Sequence, residues 1–208
     1  MIFTIEIIGA IIVAFITAVA GPIAVTWVKT KLEKKSKKTP MKEALETSTL
    51  VEEQMKDLME ELDCDRIWIS QFHNGGHFYP TGKSIQKFSV FYEKRKPSVP
   101  AIQTTFQNIP VSLFTQVLSK IYEDGELEIL NTEIEENTFG ISSLTSQFKS
   151  KSLCMVGLYS LQNNLIGVMG IDFINERSLI TEDWIIIRQK VGVIGTLLSK
   201  YLSPSNKR

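Results

Sequence analysis

The chain has 208 residues, 23 of them basic and 23 acidic, and 43% of them hydrophobic, which is ordinary globular composition and room for one domain of the usual roughly 100–200 residues. The charge is unevenly spread. Seven lysines fall between Lys29 and Lys42, and from residue 43 onward 16 basic residues face 21 acidic ones, about −5, a poor balance for nucleic acid, whose binding rests on neutralising phosphates.

The first element is an uncharged run of 22 residues, Ile7 to Val28, bounded by Glu6 and Lys29. A bilayer core takes roughly 20 apolar residues as helix, so the run is expected to span a membrane. A cleaved signal peptide would carry basic residues before a shorter apolar stretch, and Met1–Glu6 has none. Trp27 stands where an interfacial aromatic belongs, and Lys29, Lys31, Lys34 and Lys35 follow it at headgroup depth. All the flanking lysines lie on the C-terminal side, which puts the rest of the chain in the cytoplasm. Gly21-Pro22 would kink the span, and Ala10, Ala14 and Ala18 form a small-residue face suited to helix association.

Lys29–Lys42 reads as a linker. Met41–Leu62 then reads as a helix in which Ala44, Ser48, Val51, Met55, Leu58 and Leu62 alternate steps of four and three, with Leu45 and Met59 widening the stripe. Such a seam either packs on its own domain or pairs with a second copy. Val51, Met55, Leu58 and Leu62 are the residues expected at a dimer seam. Asp65–Phe72 reads as a strand that stops at a turn, His73-Asn74-Gly75-Gly76-His77. Lys87–Glu93 alternates as a second strand. Asn108-Ile109-Pro110 is expected to start a helix with Val111, Phe114, Val117, Leu118 and Ile121 on its apolar face and Gly125 at its end. Glu126–Leu130 reads as a short edge strand, and Asn131–Ser146 as polar loop. Ser152–Leu161 and Leu165–Ile174 form a hairpin around Gln162-Asn163-Asn164, and Thr181-Glu182-Asp183 caps a long final helix.

This order of elements is α+β, an antiparallel sheet with helices grouped on one face, preceded by the transmembrane helix. With its closing strand Asn164–Phe173 leading into a Thr-Glu-Asp helix start, and with Phe72-His73-Asn74-Gly75 after the first strand, it resembles a GAF domain. The resemblance implies a six-stranded sheet, the first and last helices packed together on one face, and a small-ligand pocket, functional or degenerate, on the other. It also implies a module that senses or dimerises and does not catalyse. The expected organisation is a span over 1–28, a lysine-rich linker over 29–42, a GAF-like domain over 43–203 and a tail over 204–208. The plan of one span and a small sheet domain also resembles the holins of T-even-like phages, although their soluble domain lies outside the membrane.

The candidate chemistry is thin. His73 and His77 supply two ligands where zinc takes three or four protein donors, so no metal is expected. Gly75-Gly76 and Gly82-Lys83-Ser84 lack the spacing and following helix of a phosphate loop. Asp172, in an apolar strand, reads as a turn or edge residue. Cys64 and Cys154 have no motif spacing and read as buried thiols. His73, Asn74, Tyr79, Phe91 and Glu93 are the candidate pocket residues. The resulting expectation is a membrane-anchored, non-enzymatic regulatory module with no cofactor. Its partners would be membrane lipid, a second copy and an unidentified protein; a lysis protein and a small-ligand sensor are the alternatives.

Overall fold

The computed structural model describes residues 39–77, 80–134 and 147–202. The expected span, with Trp27, Lys29, Lys31, Lys34 and Lys35, lies outside them, as do the 204–208 tail and Tyr79. Among the described residues no helix is long and apolar enough to cross a membrane. The chain divides into two units between Glu43 and Ala44. Of the first, the described residues open helix α1 (Pro40–Leu62). Thr39 caps it, its Oγ1 accepting the Lys42 N–H at 3.3 Å and its carbonyl the Glu43 N–H at 3.0 Å.

The second unit is built on a six-stranded sheet. Its strands are β1 (Arg66–His77), β2 (Ser84–Arg95), β3 (Ile109–Pro110), β4 (Glu126–Ile129), β5 (Ser152–Tyr159) and β6 (Leu165–Phe173). They lie in the order β3-β2-β1-β6-β5-β4, every neighbour antiparallel. Period-2 alternation assigns each residue to one of two faces. On β5, Cys154, Val156 and Leu158 point one way and Leu153 and Met155 the other; both sets are buried, because the central strands are covered on both sides.

One face carries α1 and the final helix α3 (Thr181–Leu202). Val51, Met55, Leu58 and Leu62 from α1 meet Ile187, Val191, Ile194 and Leu198 from α3 over Ile67, Ile69, Met169, Ile171 and Phe173 of the sheet. The proposed dimer seam is therefore an intramolecular one. Those four α1 residues are at most 1% exposed inside their own domain, and a second copy would meet other side chains. Each such side chain contributes on the order of 1.5–3 kcal/mol through burial, which a stripe of this width finds more fully in a sheet plus a helix than in a single facing seam. Lys190 of α3 ties the pair at its rim, 3.2 Å from Asp57 and 3.5 Å from Glu61. At the start of α3, Thr181 is the first helical residue. The cap position is Ile180, whose N–H donates to Asp183 Oδ2 at 3.2 Å, so the acid and not the threonine closes the first turn.

The other face carries α2 (Thr115–Asp124), entered through a 3-10 turn, Val111–Phe114, with the segments around Ile102 and Phe148 beside it. The helix expected at Asn108 starts later because Ile109 and Pro110 pair with Phe88 and Lys87 as β3. Gly125 ends α2 as anticipated, its φ of 84° allowing its N–H to reach the Ile121 carbonyl at 2.9 Å.

The expected turn at His73–His77 is strand instead. β1 continues through it, pairing His73 with Lys87 and Asn74 with Gln86, and Gln86 Nε2 donates to Asn74 Oδ1 at 3.0 Å. Within this segment the register shifts between Asn74 and His77, where Gly76 takes a φ of 107°. Cross-strand pairing has overridden the turn preference of Asn and Gly. A bulge opposite Ile69 and Ser70 leaves Phe91 as the extra residue of β2.

Candidate functional site

The residues of the sheet face opposite α1 and α3 converge on a cavity of about 80 Å³. Alternate positions of β1 supply Arg66, Trp68 and Ser70; β2 supplies Phe88 and Val90, β5 Leu153 and Met155, and β6 Val168 and Asp172. Helix α2 closes it with Val117, Leu118 and Ile121, and the loops add Ile102, Phe106, Phe114, Phe148 and Ser150. One end is aromatic. Phe88 meets Phe114 edge-on at 5.3 Å between ring centres, and Phe106 lies 5.5 Å from Phe148 and 6.2 Å from Phe114.

The other end is a buried ion pair. Arg66, 1% exposed, donates through Nε to Asp172 Oδ2 at 2.6 Å and through Nη2 to the same oxygen. Nη2 also reaches Ser150 Oγ at 2.6 Å, and Nη1 reaches the carbonyls of Pro100 at 2.8 Å and Phe148 at 3.4 Å. All five guanidinium N–H groups have acceptors. Ser150 in turn donates to Asp172 Oδ2 at 3.0 Å, and Trp68 Nε1 donates to Asp172 Oδ1 at 3.3 Å. Gly170 makes the last bond possible: a side chain there would overlap the Trp68 ring. Burial pushes the Asp172 carboxyl above the ordinary carboxylate value, and Arg66, Ser150 and Trp68 oppose that push. Asp172 is thus neither a turn nor an edge residue. It sits in a central strand, 3% exposed, and Arg66 across the ladder is what makes a carboxylate tolerable there.

Of the residues anticipated from the sequence, the four described ones, His73, Asn74, Phe91 and Glu93, do not line this cavity. His73 Nε2 lies 2.9 Å from Ser89 Oγ, which also accepts the Asn108 N–H at 2.9 Å, so the histidine helps hold the start of β3. Asn74 bonds Gln86 across the hairpin. Phe91, on its bulge, is half exposed. Glu93 accepts the N–H groups of Ile102 and Gln103, both at 2.9 Å, and so pins the loop that forms one cavity wall. The cysteines are free and lie on the opposite face, among the residues covered by α1 and α3. Burial pushes the Cys64 thiol up to about 12 and Cys154 well above its usual value. Among the described residues no cluster of three or more histidine, cysteine or acidic side chains is placed to hold a metal ion. The wall residues that sequence reading missed, Arg66 and Asp172 above all, had one usable signal: opposite charges placed singly in otherwise apolar strands.

No protein-family model matches the sequence, and no curated protein matches it either. Solved structures do match. The PixJ GAF domain of Thermosynechococcus elongatus, in its blue-light absorbing form, aligns with a TM-score of 0.61 at 15% identity over 76% of this chain and 88% of that one. A far-red cyanobacteriochrome photoreceptor aligns at 0.60 and 9% identity over 87% and 98%. A GAF domain/HD domain protein from Geobacter sulfurreducens aligns at 0.55 and 12% identity over 77% and 97%. At such identities the likeness speaks for the fold, and the fold is GAF-like: an antiparallel six-stranded sheet between two terminal helices and a cavity.

Proposed function

We propose that this chain is a non-catalytic regulatory module that binds a small molecule in the cavity under α2, held at a membrane by its N-terminal apolar stretch. The cavity carries the reading. It lies on the sheet face away from α1 and α3, and one wall is a loop fastened by Glu93. The membrane arm is supported by the uncharged run Ile7–Val28 and the lysines that follow it. Absence of catalysis is supported by the wall itself. Among the described residues no histidine or cysteine lines it, and the charged pair that does, Arg66 and Asp172, is engaged internally. Some structural neighbours hold a phycobilin. The cavity is too small for a tetrapyrrole, since its volume of about 80 Å³ falls far below the roughly 300–1,000 Å³ of pockets for drug-sized ligands.

The test is thermal unfolding of the full-length chain across a library of small metabolites. A true ligand at 100 times its Kd should stabilise the protein by about 2.7 kcal/mol, and Val117→Phe, which fills the cavity, should erase that gain. A library in which no compound raises the melting temperature of the unmutated chain would count against ligand binding. Fractionation checks the anchor separately. The chain should leave membranes only with detergent, and recovery in the aqueous phase with its first residues intact would refute the membrane arm.

A further inference from the structure

The cavity wall carries a statement about what can enter it. Each polar side-chain donor among the described wall residues already has an acceptor within the protein. Arg66 uses all five N–H groups, Trp68 Nε1 and Ser150 Oγ donate to Asp172, and Ser70 Oγ donates to the Val168 carbonyl at 3.3 Å. The two buried polar side-chain atoms without partners among the described residues, Gln71 Nε2 and Ser84 Oγ, belong to residues outside the wall. A carboxylate or phosphate entering here would lose its water and find no free side-chain donor among the described wall residues, a cost of several kcal/mol for an ion. The rest of the wall is aliphatic and aromatic. An apolar cavity of about 150 Å³ stays dry and admits benzene or xenon, and this one is about half that size, at about 80 Å³.

From these facts we infer that the cavity takes an uncharged, predominantly apolar molecule no larger than a single aromatic ring, and rejects anions. The inference rests on the cavity being a ligand site, and the two can fail separately. The methionines provide the readout. Met155 lines the cavity, whereas Met55 and Met169 lie in the core on the other face of the sheet. The full-length chain, carrying ¹³C-methyl methionine and held in lipid nanodiscs, is titrated with xenon, with benzene and with benzoate, the charged counterpart of the same ring. Xenon and benzene should shift Met155 saturably and leave Met55 and Met169 in place, while benzoate moves none of them. Val117→Phe should abolish the Met155 response. Leu118→Phe, at a half-buried wall position, serves the same purpose if the first variant folds poorly. A Met155 shift with benzoate and none with xenon or benzene would overturn the ligand class and leave the site standing. Equal shifts at all three methionines would mean partitioning without a site and would also overturn it. Silence at Met155 with every probe would remove both the class and the site.

Discussion

The two faces of the sheet solve the same problem differently. Under α1 and α3 the core is continuous apolar packing from Val51 to Leu198, in which the sulfurs of Cys64, Cys154, Met55 and Met169 and the Phe173 ring lie among aliphatic side chains. Under α2 the same strands present aromatic rings, a cavity and a buried ion pair. Dense packing has few voids and transmits strain, so the first face makes a rigid plate. The second is held open, with polar bonds doing at one end what close packing does across the sheet. One side is closed by packing, and the other leaves a cavity.

The sharpest way to break that contrast is to remove one member of the ion pair. Asp172→Ala leaves the Arg66 guanidinium buried without its counter-ion and should cost about 3–5 kcal/mol, read by urea unfolding of the full-length chain. Replacing both partners, Arg66→Met with Asp172→Leu, should cost much less than either single change. If the double variant is as unstable as the single ones, the pair is not acting as a neutral unit and the picture of a self-contained wall fails.

A cut into the plate comes next. Leu58→Ala, at a fully buried position in α1, should cost about 2–5 kcal/mol through lost burial and a residual cavity, against about zero for Leu45→Ala at an exposed position of the same helix. A small effect at Leu58 would mean that α1 is not docked on the sheet as described.

These two experiments also mark what the sequence could and could not disclose. The α1 stripe and the β5–β6 hairpin are local patterns. Steps of four and three bring Val51, Met55, Leu58 and Leu62 to one side of any helix, and the apolar run on either side of Gln162-Asn163-Asn164 can pair with little else. The resemblance of the element order to a GAF domain rested on the same local signals. Arg66 and Asp172 are 106 positions apart, and nothing local in either strand names the other. The cavity likewise draws on four strands, one helix and several loops, so its membership exists only once the chain has folded. The Phe72–Gly75 segment misled for the opposite reason. Its local preference for a turn is real, and pairing with β2 outweighed it.

A single methylene added to each face sharpens the contrast further. Val156→Ile inserts it into the packed plate, where it should cost about 1–3 kcal/mol through overpacking. Val117→Ile inserts it into the cavity wall, where there is room, and should be neutral or stabilising by up to about 1 kcal/mol. Equal penalties at the two sites would show that the cavity has no more slack than the core.

The smallest effect expected at neutral pH is on the thiols, which report on the plate alone. Cys64 and Cys154 are both buried there, and burial raises Cys64 from an ordinary value of 9.0 to about 12 and Cys154 in the same direction. Neither thiol should react with an aromatic disulfide reagent at pH 8 in the native chain, and both should do so after denaturation. The stability consequence follows from linkage. Below pH 9.0 both states keep their thiol protons and the cysteines leave stability unchanged. As pH rises from there toward about 12 the unfolded chain ionises first, so the protein loses stability. Cys64→Ala combined with Cys154→Ala should flatten that alkaline slope relative to the unmutated chain. Fast reaction of either thiol at pH 8, or a slope that the double variant does not change, would show that the plate opens far more readily than its packing allows.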